Sequence, residues 1–267
     1  MYFRRGAGDP CISGSFAPMK QKVQKKNLEF LDALRLSTEE PWKLALVGGG
    51  GKTSLIFRLT EELVARGNQV IVTTTTHMAY EPERPFARDG EEELVRKNLR
   101  EKGYTMAAAW DGSSEKVAGL SEEKLEALFS MGAFLLIEAD GARRLPVKVP
   151  KSWEPVIPKS ADLVIAVVGL DCLGRPIEEI AYEPRELAAF LGKKTEEKIT
   201  PEDVLSLATS KRGLKKAVGK RRYVIYLNKA ELAPETAFSL AKTLQERGYQ
   251  AAYGSLKEGW IKRGEER

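Results

Sequence analysis

Five stretches of strand length are almost continuously apolar: KLALV at 43–47, QVIVT at 69–73, FLLIEA at 134–139, DLVIAVV at 162–168 and RYVIYLN at 222–228. A strand with one face in water alternates polar and apolar residues, whereas one covered on both faces does not. Helical patterns at 53–65, 91–101, 121–130 and 235–247 lie between or beyond these runs. Strands that need cover on both sides, interleaved with helices that can supply it, predict the α/β class. The economical arrangement is a doubly wound, mostly parallel sheet with right-handed crossovers. YTMAAAW at 104–110 reads as an extra or edge strand, and NLEFLDALRL at 27–36 as a short helix covering one edge of the domain.

Residues 1–25 contain a stretch rich in Gly, Pro and Ser with no period and are expected to form a flexible N-terminal extension; residues 26–267 are then one domain. With 42% hydrophobic and 30% charged residues the chain can bury a large single core. The formal charge of +5 comes from basic and acidic residues that alternate closely, so neither a basic block nor an aromatic-basic stripe points to nucleic acid. The longest apolar runs are too short to span a membrane. The opening MYFRRGAGDP has positive charge but no apolar core after it, so it reads as neither secretion signal nor anchor. Cys11 and Cys172 lie in unlike contexts and form no CxxC pair, and a cytoplasmic protein is expected.

Four glycines in succession, Gly48 to Gly51, follow the first run and precede Lys52, Thr53 and Ser54. The usual Walker expression requires a glycine where this chain has Leu46, so the standard pattern fails. Its physical elements are nevertheless present. A buried strand stops, the chain turns with no side chains in the way, and a helix begins with its free amides facing the turn. Such amides form a nest for phosphate oxygens. This predicts a P-loop NTPase type of fold, with Gly48, Gly49, Gly50 and Gly51 around a nucleotide's phosphates, Lys52 on the outer ones and Thr53 on Mg²⁺. Ser54 is a phosphate ligand or an ordinary first-turn residue.

The third long run carries Glu138 near its end and is followed at once by Asp140, in IEADGARR. Residues two apart on an extended strand share a face, so both carboxylates can look toward the phosphates. Asp140 is the favoured Mg²⁺ ligand and Glu138 the water-mediated contact or base, with the two interchangeable. The final run ends in Asn228, Lys229 and Glu231. A carboxylate three residues after an asparagine at a strand end can accept the N1 hydrogen and exocyclic amine of guanine, which favours GTP over ATP. Thr75, Thr76 and His77, at the end of the second run, are candidates for a second ligand or for structural hydrogen bonds. Arg143, Arg144, Glu154, Asp171 and Cys172 are further candidates for that second site, each with a plain structural alternative. Pro146, Pro150, Pro155 and Pro158 make 146–158 a constrained loop that cannot donate to a central ladder.

Taken together, ALVGGGGKTSLIFRL, VIVTTTTHM, IEADGARRLPVKVP, EPVIPKSADLVIAVVGLDCLGRP and LNKAE resemble the YqeC-like family. That resemblance implies a nucleotide-dependent accessory protein of selenium cofactor biosynthesis, acting with selenium-dependent molybdenum hydroxylases or their cofactor-maturation machinery. Composition and spacing by themselves reveal no selenium. Three functions follow as alternatives: an Mg²⁺-dependent NTPase maturation factor, a small-molecule kinase or nucleotidyltransferase acting on a cofactor precursor, and a nucleotide-binding interaction module without hydrolysis. No separate acceptor domain is visible, which favours switching over transfer.

Overall fold

The computed structural model describes residues 29–110, 112 and 115–265, so the expected extension at 1–25 lies outside the described residues. The first half of the described chain runs α1 (Phe30–Ala33), β1 (Lys43–Gly48), α2 (Lys52–Ala65), β2 (Val70–Thr74), β3 (His77–Ala79), β4 (Phe86–Arg88), α3 (Glu92–Lys102), β5 (Tyr104–Trp110), β6 (Lys116–Ala118) and α4 (Glu122–Phe129). The second half runs β7 (Phe134–Glu138), β8 (Val147–Lys148), β9 (Leu163–Gly169), α5 (Ile177–Ile180), β10 (Ala181–Tyr182), α6 (Pro184–Leu191) and α7 (Pro201–Thr209). It closes with β11 (Arg222–Asn228), α8 (Pro234–Glu246), β12 (Gln250–Ser255) and β13 (Trp260–Arg263).

The continuous apolar runs have the reason anticipated for them. Along β1, Leu44 and Leu46 enter a core shared with Leu55, Leu59 and Leu63 of α2 and with Phe30 and Leu31 of α1. Ala45 and Val47 point the other way, into a core with Leu187 of α6, Val204 of α7 and Leu240 and Leu244 of α8. Farther along the sheet, Leu135 and Ile137 of β7 meet Val95 of α3 and Leu125 of α4 in a third cluster. Both faces of the central strands are therefore dry, which is why period-two alternation is missing from their sequence.

The main sheet runs β13-β12-β11-β9-β1-β7-β2-β5-β6-β3, with β4 beside β5. Pairing is parallel from β12 through to β5, and antiparallel pairs close both ends at β12–β13, β5–β6 and β6–β3. The chain is thus an α/β protein with a mixed, mostly parallel sheet. YTMAAAW is a strand over its whole length, but it is not at the edge. It pairs with β2 on one side and with β4 and β6 on the other, in the register Val70↔Tyr104. At 27–36 the expected helix shrinks to Phe30–Ala33 among the described residues, although Leu31, Leu34 and Leu36 are buried. The Glu62 carboxylate of α2 accepts the amides of Phe30 and Leu31 at 3.0 and 2.9 Å, so a distant side chain caps this short segment.

Register places the functional edge. Leu46 lies opposite Glu138, Thr74 opposite Glu138, Gly48 opposite Val167 and Asn228 opposite Gly169. Parallel strands in this register end level with one another, so the loops after β1, β2, β7, β9 and β11 leave from one edge of the sheet. The proline-rich loop crosses that edge. Leu145 and Pro146 accept hydrogen bonds from the amides of Gly50 and Gly169 at 3.0 and 3.1 Å.

This crossing leaves no room beside the glycines. A Cβ on Gly50 would sit 2.4 Å from the backbone of Gly169, and Gly50 has φ +77°. Gly67, past the end of α2, has φ +83° but open space around it. Gly67→Ala should then cost only the left-handed penalty of roughly 1–2 kcal/mol. Gly50→Ala should add an overpacking cost of about 1–3 kcal/mol. Urea unfolding of the two variants checks this, and equal losses would show that the loop crossing is not tightly packed.

Candidate functional site

A cleft of about 1490 Å³ opens at the carboxyl edge of the sheet. Its floor is the start of α2, from Gly50 to Ser54. One end is formed by Asp171, Asn228, Lys229, Glu231 and Leu256, and another wall by Thr76 to Glu81 with Lys116. Glu138 and the turn Gly141–Arg144 complete it, together with Glu154 and Tyr182.

At the floor, Gly51 precedes α2 with φ 136° and no side chain caps the helix. The first intrahelical bond runs from Leu55 N–H to Gly51 O. The amides of Gly51, Lys52, Thr53 and Ser54 thus have no protein acceptor among the described residues, a need that helix ends normally meet with a cap, water or ligand.

Behind them lies a buried row of alternating charges. The Lys52 ammonium donates to Gly48 O at 2.6 Å and stands 3.1 Å from Asp140 Oδ1 and 3.8 Å from Glu138 Oε1. Asp140 Oδ2 accepts the Gly48 amide at 3.0 Å and lies 3.8 Å from Lys148 Nζ. Lys148 donates to Gly141 O at 2.6 Å and to Glu154 Oε2 at 2.5 Å. Burial by itself would lower the Lys52 ammonium, but attraction from Asp140 and Glu138 outweighs it and the net shift is upward. Burial pushes the Glu138 carboxyl up, partly offset by Lys52 and by the hydroxyl of Thr53, which donates to Glu138 Oε2 at 2.7 Å.

The structure brings most of the candidate residues into this one cleft and changes the parts several of them can play. Gly48 and Gly49 do not line it. Their amides donate to Asp140 and to Val167 O, and a Cβ on either would meet backbone oxygen at 2.3 or 2.7 Å. They are glycines so that the loop can pass between β9 and the turn after β7, and the open amides begin only at Gly51. The two carboxylates differ in their access to the cleft. Asp140 is wholly buried beneath the loop and absent from the cleft lining, while Glu138 lines the cleft beside Thr53.

Asn228 is a strut: its Nδ2 donates to Gly50 O at 2.7 Å, and its Oδ1 accepts from the Leu256 amide and the Tyr226 hydroxyl, each at 3.2 Å. Lys229 pairs with Asp171 at 2.6 Å, which puts Asp171 at the Asn228–Glu231 end of the cleft. Glu231 lines the cleft with Oε2 buried and, among the described residues, without a hydrogen-bond partner. Thr75 turns its hydroxyl onto Val156 O at 2.7 Å, leaving Thr76 and His77 at the cleft wall. Glu154 is committed to Lys148. Cys172 is removed from the site altogether: it is fully buried in the core, and burial followed by repulsion from Asp171 pushes its thiol up to about 12.

Lys148 and Tyr182 were not candidates from the sequence. Lys148 had one visible signal, a charge between Val147 and Val149 in a proline-framed apolar stretch. Tyr182 had none, since its place depends on β10 pairing with β8.

Fold and site together define an α/β protein with a cleft, lined in part by charged and hydroxyl side chains, where parallel strands end, floored by an uncapped helix start. The sequence from 44 to 185 matches the family described as YqeC protein. The chain is also 34% identical over 215 residues to a protein of Escherichia coli (strain K12) described as "Uncharacterized protein YqeC", an alignment that spans 78% of this chain and 83% of that one. The chain belongs to the YqeC family. The matched segment includes the glycine loop, Glu138, Asp140, the proline loop and Asp171, whereas Asn228 to Glu231 lie beyond it. No helix among the described residues is long and apolar enough to cross a membrane.

Two outcomes check this geometry. Asp140→Asn leaves Lys52 and Lys148 facing a neutral amide, and breaking a buried pair in this way should cost about 3–5 kcal/mol in urea unfolding. A loss below about 1 kcal/mol would place Asp140 in the range of surface pairs. Cys172 should resist alkylation at pH 8 until denaturant is added, read by mass spectrometry on the peptide that contains it; rapid labelling of the native protein would contradict its burial.

Proposed function

We propose that the cleft binds a nucleoside triphosphate with Mg²⁺, and that the protein is a nucleotide-hydrolysing accessory factor with the P-loop type of fold. The observation that carries this reading is the run of four unpartnered amides, Gly51 to Ser54, beside the Lys52 ammonium. An uncapped helix start with a cation at its side is suited to phosphate oxygens. The position of β1 between β7 and β9 supports it too, since the glycine loop and the carboxylates after β7 become neighbours.

Among the described residues, no group of three or more His, Cys, Asp or Glu side chains is placed to hold a metal ion unaided. Mg²⁺ bound with a nucleotide asks for less, because phosphate oxygens and waters complete its shell around one or two protein oxygens. The Thr53 hydroxyl and the Glu138 carboxylate fit that need. Bound there, Mg²⁺ would neutralise charge on the phosphates. Asp140 then serves as a positioning residue that fixes both Lys52 and Gly48, and Lys52 supplies the cation toward the outer phosphates.

GTP is the nucleotide this reading favours. The unpartnered Glu231 oxygen is an acceptor, and guanine offers N1–H and an amine as donors where adenine does not. The part in maturing selenium-dependent molybdenum hydroxylases rests on what the family resemblance implies, and not on the site's geometry.

Competition binding of GTP, ATP and ITP to the full chain tests the reading. GTP should bind tightest, with ATP weaker by about tenfold or more because it leaves the carboxylate unpaired, and ITP between them. Glu231→Ala should level the three, Lys52→Ala should weaken all of them, and Glu138→Gln should reduce the dependence on Mg²⁺. Absence of triphosphate binding by the wild type would overturn the proposal; equal affinities unchanged by Glu231→Ala would overturn the choice of base. Phosphate release on incubation with Mg²⁺ and GTP, lost in Lys52→Ala, is the expected sign of hydrolysis.

A further inference from the structure

We infer that the wall built from the turn after β7, from β10 and from Thr76 is a second subsite in the same cleft, for a small organic phosphate. The inference takes the helix start as the nucleotide's end of the cleft, but its own observations lie elsewhere. The first is room. Pockets that hold one drug-sized ligand measure roughly 300–1,000 Å³, and this cleft has about 1490 Å³.

The second is positive charge with no carboxylate in direct contact, although Arg143, with Lys151, also attracts the Glu183 carboxylate. Arg143 and Arg144 both line the cleft and are exposed, yet neither forms an ion pair among the described residues. Other cations nearby are already committed: Lys148 to Glu154, Lys151 to Glu183, Lys229 to Asp171. Arg143 lies 5.3 Å from the centre of the Tyr182 ring, which orients its guanidinium. Both arginines also hold left-handed backbone, φ 47° and 63°. L-residues rarely adopt this conformation, and such outliers cluster at ligand clamps.

The third observation is a hydroxyl without a partner. Thr76 Oγ1 is buried and makes no hydrogen bond, although Thr76 lines the cleft. A buried donor in that condition calls for an acceptor, which a water or an anion can supply once the side chain turns to the cleft. The set suits one ligand class. A planar guanidinium can grip a phosphate through paired N–H donors, the geometry a phosphomonoester dianion would use at this wall.

The test is calorimetric titration of the full chain with inorganic phosphate, for the wild type, Lys52→Ala, Thr76→Val and the double variant Arg143→Gln, Arg144→Gln. Phosphate should bind Lys52→Ala with the affinity it shows for wild type whose helix start is filled by Mg²⁺ and a non-hydrolysable GTP analogue. The double arginine variant should lose at least about tenfold in phosphate affinity, and Thr76→Val a smaller amount. Its affinity for the GTP analogue should be unchanged. Binding lost in Lys52→Ala but kept in the arginine variant would assign all phosphate to the helix start and overturn the subsite, as would no phosphate binding by the wild type. Failure of the nucleotide reading looks different: the GTP analogue would not bind, while phosphate affinity would still depend on Arg143 and Arg144.

Discussion

The buried row Glu138, Lys52, Asp140, Lys148, Glu154 ties together the parts of this protein that lie farthest apart in sequence. Each member alone would be expensive to bury, and the row is tolerable because every charge has an opposite neighbour and further hydrogen bonds. Asp140 is the pivot. It holds the amide that starts the glycine loop, faces the lysine that follows that loop and faces the lysine of the proline loop. With three carboxylates and two ammoniums, the row has one more acid than base if all are ionised, and the upward shift of Glu138 follows from its burial at the cleft end of that row. A cation arriving at the cleft would meet this carboxylate.

Around that row the glycines have two distinct purposes. Gly48 and Gly49 let strands and loops pass one another, whereas the chain beginning at Gly51 presents open amides. The run therefore serves packing from Gly48 to Gly50 and opens amides to the cleft only from Gly51. Asn228 adds a tie from the far side, bridging Gly50 and Leu256, so the loop is held by the ends of β7 and β11 at once. A floor fixed from both sides needs little reorganisation when a ligand arrives, which is the condition for electrostatic preorganisation.

The chemistry-bearing part of the cleft is unevenly satisfied. Lysines and acids near the floor are paired, while among the described residues Glu231 Oε2 and Thr76 Oγ1 are buried without hydrogen-bond partners and Arg143 and Arg144 are without ion pairs. Buried polar atoms of this kind are uncommon in folded proteins. Among the described residues Thr73 Oγ1, Asp140 Oδ1, Asp171 Oδ1 and Arg58 Nε share that condition, so most of these atoms lie at or just behind the carboxyl edge of the sheet.

Much of the fold was legible in the sequence because burial on both faces leaves a direct trace: uninterrupted apolar runs at strand length. The runs at 43–47, 162–168 and 222–228 coincide closely with β1, β9 and β11, and Gly48 to Thr53 announced a strand-to-helix turn. Short elements such as β8 and β10 were not legible, since two residues carry no period and pair only because the rest of the fold presents them to each other. The same holds for the site. Sequence nominated Lys52, Thr53, Glu138, Asp140 and Glu231 by type and spacing, which are local properties. Which carboxylate reaches the cleft, that Lys148 balances Asp140, that Asp171 pairs with Lys229 and that Cys172 is sealed in the core were decided by tertiary structure. Each depends on the distance between groups contributed by different loops, and a distance of that kind is set by strand order and register, which no short stretch of sequence contains.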